Sequence, residues 1–358
     1  MPHTNRYALI SSLTCCLMML YASPRLAAQT GATPQAAYST EEVRFVNTHE
    51  GISLSGTLTR PNGAEAAPAV VMITGSGPQN RDEEIAGHKP FAVIADLLAR
   101  NGIASLRFDD RGVGGSEHGK TEQATTLDLS YDVEAAYDFV RACKGIDTTK
   151  IGLLGHSEGG QIAVMLAARR PDIACVVSMA GPAVRGDEMM TEQVRMILHT
   201  QGVTDEQAKQ YVDTYRHMYD IVIGAPTRKA AVVQLSTYLQ SLNMPQDAVT
   251  QYMSYTQPWF YYMLRYDPAD DLRRLTCPAF FFYGSHDTQV SARQSYDAIH
   301  DLKQSNLHPH IFNNVNHLFQ RCSTGSIDEY GMITEDISQE VLHEGLSLVL
   351  STLRRHPS

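Results

Sequence analysis

The stretch LLGHSEGGQ, residues 153–161, sets Gly155 and Gly159 two positions either side of Ser157, after an apolar run and before a helix-like one. Two readings fit it: a serine raised on a tight, strained turn, or a glycine-bordered bend and nothing more. G-x-S-x-G arises often by chance, so its flanks decide. IGLLG (151–155) reads as a buried strand, and the run from Gly159 to Arg169 and Arg170 reads as a helix that Pro171 stops. The two terminal cations suit the helix dipole. On such a unit the glycines remove side chains that would collide across the turn, and the Ser157 hydroxyl stands at the carboxyl end of a sheet, over free helix N–H groups.

Working outward, AVVMIT (69–74), IASLRF (103–108), IACVVSMA (173–180) and AFFFYG (279–284) are also short continuous apolar runs. Runs of this kind are buried on both faces, as in a parallel sheet covered by helices. Between them lie helical stripes: Phe91, Ile94, Leu97 and Leu98, ending at Asn101 and Gly102; Leu129, Val133, Ala136, Tyr137 and Val140; and near the end Leu342, Leu346, Val349 and Leu353. Before them, VRFVN (43–47) and ISLSGTLTRP (52–61) alternate around a His49, Glu50, Gly51 turn and read as an antiparallel hairpin after a polar tether. The fold class is therefore α/β, a mostly parallel central sheet flanked by helices. The interval between the strands at Ala180 and Ala279 is far longer than the typical α/β connection of about 2–6 residues. Its stripes (Val194, Ile197, Leu198; Tyr211, Tyr215, Met218) predict an inserted helical cap. The expected divisions are 1–28, 29–182 (first part of the core), 183–270 (cap) and 271–358 (second part of the core).

A serine hydroxyl is a weak nucleophile until a base takes its proton, and the base needs a partner to fix its tautomer. Asp287 follows the AFFFYG strand, and His317 lies in the loop after a further strand candidate at 310–312. Taken singly, Asp287 reads as a turn-former and His317 as a loop histidine; together with Ser157 they occupy three strand ends in the expected order serine, acid, histidine. Asp267, Asp270 and Asp271 are rival acids that precede the strand and form its entry turn. For an oxyanion, the glycine-rich loop Thr74, Gly75, Ser76, Gly77 and the helix start supply donors; the backbone N–H groups of Ser76 and Glu158 are the expected pair. Asp109, Asp110 and Arg111 read as an ion-paired structural loop. His308 and His310 lack a third ligand, so no metal is expected. Trp259, Phe260, Tyr261, Tyr262 and Tyr266 read as packing against the sheet, with a share of them lining an acyl pocket.

These segments, ITGSGPQNRDEEIAGHKPF, LRFDDRGVGGS, IGLLGHSEGG, YGSHDTQV and NHLFQ, together resemble the α/β-hydrolase superfamily, within its serine aminopeptidase-like and exported esterase group. The resemblance runs from about Val70 to the carboxyl end and departs from the pattern at Thr74, where many relatives carry histidine. It implies the α/β-hydrolase fold with Ser157 as nucleophile, Asp287 as acid and His317 as base, and no cofactor. Cleavage of small carboxylic esters through an acyl-enzyme is the first expectation. A serine peptidase, aminopeptidase or thioesterase is the enzymatic alternative, and a binding protein on a hydrolase fold the non-enzymatic one.

Composition agrees with a globular chain: 43% hydrophobic and 19% charged residues over 358 positions. Arg6, an apolar run to Ala22 and the small residues Ala27 and Ala28 read as a secretory signal peptide over 1–28, predicting export to the periplasm or medium and no membrane span once it is removed. Loss of Arg6 and Arg25 takes the formal charge from −10 to −12. An acidic chain without a basic block carries no electrostatic footprint for nucleic acid, leaving a small-molecule ester or acyl substrate as the expected partner. Cys143, Cys175, Cys277 and Cys322 form no C-x-x-C pair, so neither a zinc site nor a disulfide framework is expected.

Overall fold

The computed structural model describes residues 37–354, so the signal peptide read over 1–28 lies outside the described residues. Eight strands form one sheet: β1 (Tyr38–Asn47), β2 (Ile52–Pro61), β3 (Ala67–Ile73), β4 (Ala104–Phe108), β5 (Ile146–His156), β6 (Val176–Met179), β7 (Ala279–Gly284) and β8 (Leu307–Phe312). Their spatial order is β1-β2-β4-β3-β5-β6-β7-β8. The hairpin β1/β2 and the pair β2/β4 are antiparallel; every pairing from β4 to β8 is parallel. Because β3 has β4 on one side and β5 on the other, the chain reverses its direction of travel across the sheet at β3/β5. Ligands of open α/β sheets sit outside the carboxyl ends of strands at such a reversal.

Residue alternation divides the sheet's side chains between two layers of helix. Ala69, Val71 and Ile73 of β3 face the layer of α2 (Thr126–Ala142), α3 (Glu158–Ala167) and α10 (Ala292–His300), whereas Val70 and Met72 face α1 (Pro90–Arg100) and α11 (Leu346–Arg354). Continuous apolar strands are needed because both faces are covered. The helix limits follow their cap residues. Pro90 opens α1, where its missing N–H costs nothing, and Gly102 at φ +81° follows its Asn101 cap. Thr125 and Asp128 close a reciprocal capping box on α2, the Thr125 N–H donating to Asp128 Oδ2 at 2.8 Å.

Between β6 and β7 the chain forms α4 (Gly186–Thr200), α5 (Asp205–Gly224), α6 (Arg228–Ser241), α7 (Gln246–Met253), α8 (Pro258–Met263) and α9 (Ala269–Arg274). Helices α4 to α8 pack around an apolar cluster of their own that includes Met218, Tyr219, Leu235, Tyr252 and Phe260. Asp270 and Asp271 fall in the first turn of α9, ahead of β7, as the entry-turn reading has it. The four cysteines at 143, 175, 277 and 322 are free.

Candidate active site

Ser157 stands between β5 and α3 with φ +53° and ψ −119°, backbone values that a side-chain-bearing residue adopts only under constraint. The constraint is visible. Its N–H donates to Met179 O at 2.7 Å, its carbonyl accepts from Gly160 N–H at 3.0 Å, and the turn is too tight for side chains nearby. A Cβ on Gly155 would meet the backbone of Gly159, and a Cβ on Gly159 would meet the backbone of Ile73 and Thr74. The glycines of the motif are thus required by close approach.

Asp287 follows β7 and is buried; one oxygen, Oδ1, accepts the N–H groups of Gln289 at 2.7 Å and Val290 at 2.9 Å. That leaves Oδ2 for His317, whose Nδ1–H lies 2.7 Å away. His317 is carried after β8 in a loop held by Asn316, whose Oδ1 accepts from Leu318 N–H and Gln320 N–H, each at 3.0 Å. Asp287 and His317 are therefore joined as a pair at the ends of adjacent strands. No hydrogen bond joins Ser157 Oγ to His317 among the described residues; such contacts are frequently long before substrate binds.

The loop after β3 brings Gly75 against the elbow, a Cβ built there lying 3.3 Å from that of Ser157. The Gly75 N–H is already committed to Glu83 Oε1 at 2.7 Å, while the N–H groups of Ser76 and Glu158 donate to no group among the described residues. Glu158 is the first residue of α3, where an N–H has no intrahelical acceptor.

Three features correct or go beyond the sequence reading. The Glu158 side chain is buried and bonds across the molecule: its Oε1 accepts from Thr126 Oγ1 and from Trp259 Nε1 of α8, both at 2.6 Å. Burial raises its pKa, opposed by those two donors. Trp259 thus links the inserted helices to the residue after Ser157, while Phe260 beside it packs in their own cluster instead of on the sheet. Second, the Asp109, Asp110, Arg111 turn is only partly ion-paired. Asp109 meets Arg81 at 2.7 Å and Arg111 meets Asp132 at 2.7 Å and Glu50 at 2.8 Å, but Asp110 takes Thr74 Oγ1–H at 2.7 Å and Gln79 N–H at 2.8 Å and pairs with no cation among the described residues. Third, His156 and Glu83 are buried together beside the elbow, Nδ1 to Oε1 at 2.9 Å. A His next to the serine in the motif and an acid inside the RDEE run were the available signals, but the run has the composition of a solvated loop.

The eight-stranded mostly parallel sheet, with Ser157 on its strained turn and the Asp287–His317 pair at neighbouring strand ends, is that of an α/β hydrolase. Within that class the chain belongs to the family described as serine aminopeptidase, S33, whose model matches residues 88–321. Among curated proteins it is similar to Esterase EstD of Thermotoga maritima, 27% identical over 270 residues, covering 74% of this chain. The chain spans 58% of the length of EstD. It is also 27% identical over 245 residues to thiohydrolase aneE of Aspergillus aculeatus, 66% of this chain and 73% of that one. Among solved structures, the Pyrococcus furiosus esterase Pf2001 superposes with a TM-score of 0.55 at 16% identity over 93% of this chain and 96% of its own. The proline iminopeptidase of Mycobacterium smegmatis gives 0.54 at 16% identity, over 87% and 99%. At those identities the two structures speak for the fold alone.

Proposed function

We propose that this protein is an exported serine hydrolase that cleaves small carboxylic esters through an acyl-enzyme, with Ser157 as nucleophile, His317 as base and Asp287 as its partner. The observation that carries the reading is the 2.7 Å contact between His317 Nδ1 and Asp287 Oδ2 at the ends of the strands that follow a serine held at φ +53°. With its Nδ1–H donated in a hydrogen bond to Asp287, the neutral His317 keeps a lone pair on Nε2 to take the Ser157 proton. Ser157 Oγ then attacks the carbonyl carbon, and the negative charge that develops on the carbonyl oxygen is received by the N–H groups of Ser76 and Glu158. His317 returns the proton to the departing alkoxide as the ester C–O bond breaks. Water, deprotonated by the same histidine, attacks the acyl carbon; as the bond to Ser157 Oγ breaks, His317 returns that proton to Oγ, freeing the acid and restoring Ser157. These steps ask for no cofactor or metal.

Ester cleavage is preferred because EstD, at 27% identity, is named an esterase and because an alcohol leaves more readily than an amine. Hydrolysis of aminoacyl amides is the second reading, favoured by the family description. Export rests on the basic, apolar, small-residue order of residues 1–28. The test is fluorophosphonate labelling with peptide mapping, beside Ser157→Ala. Label confined to Ser157, and turnover abolished in a folded Ser157→Ala, is the expected result; unchanged turnover in that variant would remove Ser157 from the mechanism. Rates on esters and on aminoacyl amides then separate the two readings.

A further inference from the structure

The ring of His156 is bonded at both nitrogens. Nδ1 lies 2.9 Å from Glu83 Oε1, and Nε2 lies 2.8 Å from the backbone carbonyl oxygen of His317. A carbonyl oxygen only accepts. Glu83 Oε1 accepts from the Gly75 amide at 2.7 Å, and as an oxygen of an ionised carboxylate it can only accept from His156 as well. An imidazole facing an acceptor at each nitrogen needs a proton on each. The neutral ring would set a nitrogen lone pair against an oxygen lone pair in a buried site, where the unmade bond is not replaced by water.

We propose that His156 is a buried imidazolium which, paired with Glu83, fastens the loop carrying His317 to the loop carrying Gly75 and Ser76, so that His156 and Glu83 are positioning residues for the reaction. This rests on the serine-hydrolase reading above. The pair spans three segments: Glu83 holds the Gly75 amide, His156 adjoins Ser157 in sequence, and His156 Nε2–H holds the backbone of the base itself. Glu83 is 1% exposed and sits at φ +52°, a conformation held by its carboxylate bonds to Gly75 and His156 and by its own N–H, which donates to Asn80 O at 2.8 Å. The charged and titratable groups facing His156 are Glu83, Asp287 and the His317 ring, whose centroid is 4.7 Å away. The small cavity that His156 and Glu83 line is otherwise apolar, with Phe91 and Ile94 of α1, Met179 of β6, and Phe319. Burial opposes the charge, but the Glu83 carboxylate, with the His317 carbonyl and Asp287 adding to it, leaves the His156 pKa above its ordinary value. During turnover His317 becomes cationic beside a second cation, and each ring keeps a carboxylate of its own.

Two measurements on the full chain test this. In a ¹⁵N-labelled sample at pH 7 to 8, both ring nitrogens of His156, assigned by their loss in His156→Gln, should resonate as protonated nitrogens. One protonated and one bare nitrogen would overturn the proposal, whatever happens to the variants. In Glu83→Gln the amide oxygen still accepts from Gly75 and His156 while the negative charge is gone. The ring then loses its proton at lower pH, so the alkaline limb of kcat should move down by about one unit or more. At neutral pH kcat should fall on the order of 10- to 100-fold with KM little changed. An unmoved alkaline limb in a folded Glu83→Gln would also overturn it. Fluorophosphonate label on Ser157 with a neutral His156 would defeat this proposal and leave the serine-hydrolase reading standing. An unlabelled Ser157 with a doubly protonated His156 would defeat that reading and the positioning role with it.

Discussion

At the scale of single residues, Asp287 shows how much one carboxylate orientation decides. Its Oδ1 is fixed by the N–H groups of Gln289 and Val290, so only Oδ2 meets His317. In Asp287→Asn the amide oxygen should take over the two backbone donors, turning the NH2 toward His317 Nδ1. The ring then carries its proton on Nε2, the nitrogen that receives the serine proton in the proposed mechanism. We expect kcat to fall on the order of 10⁴-fold with the fold intact, read from steady-state kinetics beside circular dichroism. A loss under tenfold would mean that Asp287 is not the partner of the base. Asp287 was legible in the sequence because it follows a strand of unbroken apolar composition; His317 was placed only by a short strand candidate at 310–312, since His308, Pro309 and His310 break the apolar pattern of β8. Glu83 was not legible. It lies in RDEE, and only the close approach of the β3 loop to the elbow turns that acid inward.

At the scale of elements, the sequence pattern found the strands better than the inserted helices. AFFFYG and ISLSGTLTRP coincide with β7 and β2, since covered or half-covered sheet leaves an unbroken or alternating pattern. β5 begins five residues before its apolar run, because the polar Asp147 to Lys150 stretch is carried along by the pairing of Ile146 with Ala67 across an irregularity. The insertion showed two stripes but holds five packed helices. Those of α6 and α7 are narrow, with Ala231, Leu235 and Leu239 the buried residues of the former, and short helices in a small cluster bury too little to announce themselves. Their connection to the elbow is chemical as well as apolar. Trp259→Phe keeps a ring but removes the Nε1–H donor 2.6 Å from the buried Glu158 Oε1. That should cost about 1–3 kcal/mol in urea unfolding. Glu158→Gln keeps an acceptor for Thr126 and Trp259 and removes a buried charge, so it should cost less. Equal losses in the two variants would mean that packing, and not the hydrogen bond, joins α8 to the elbow.

At the scale of the whole molecule, the acids gathered under the elbow set how stability varies with pH. Asp110 and Glu158 line one cavity with Thr74 and Gly75. Asp110 as a residue is half-buried, but its carboxylate is enclosed between Thr74 and Gln79. Burial pushes its pKa from 3.8 up to about 8, the bonds from Thr74 and Gln79 opposing and the charges of Glu158 and Glu83 adding. Below the ordinary value both the folded and unfolded chains hold the proton. Between there and about 8 the unfolded chain has released a proton that the folded chain retains, so stability falls as pH rises through this window. Glu158 and His156, both raised, act in the same direction. Carboxylates paired with arginines and lowered, such as the buried Asp109 and the more exposed Asp172, act oppositely and at more acid pH, where their loss of charge destabilises the fold. The maximum should therefore lie on the acid side of neutrality, with a decline toward pH 8 whose slope for one group is at most about 1.4 kcal/mol per unit. Asp110→Asn removes one of these titrating contributions while its amide serves both neighbours, the oxygen facing Gln79 N–H and the NH2 facing a Thr74 hydroxyl that can turn to accept. Urea denaturation at pH 5, 6, 7 and 8 should show a shallower decline in the variant, with the two proteins closest at pH 5 and furthest apart at pH 8. Parallel curves would mean that Asp110 is ionised in the folded protein at no cost, and that the pH dependence has its origin elsewhere.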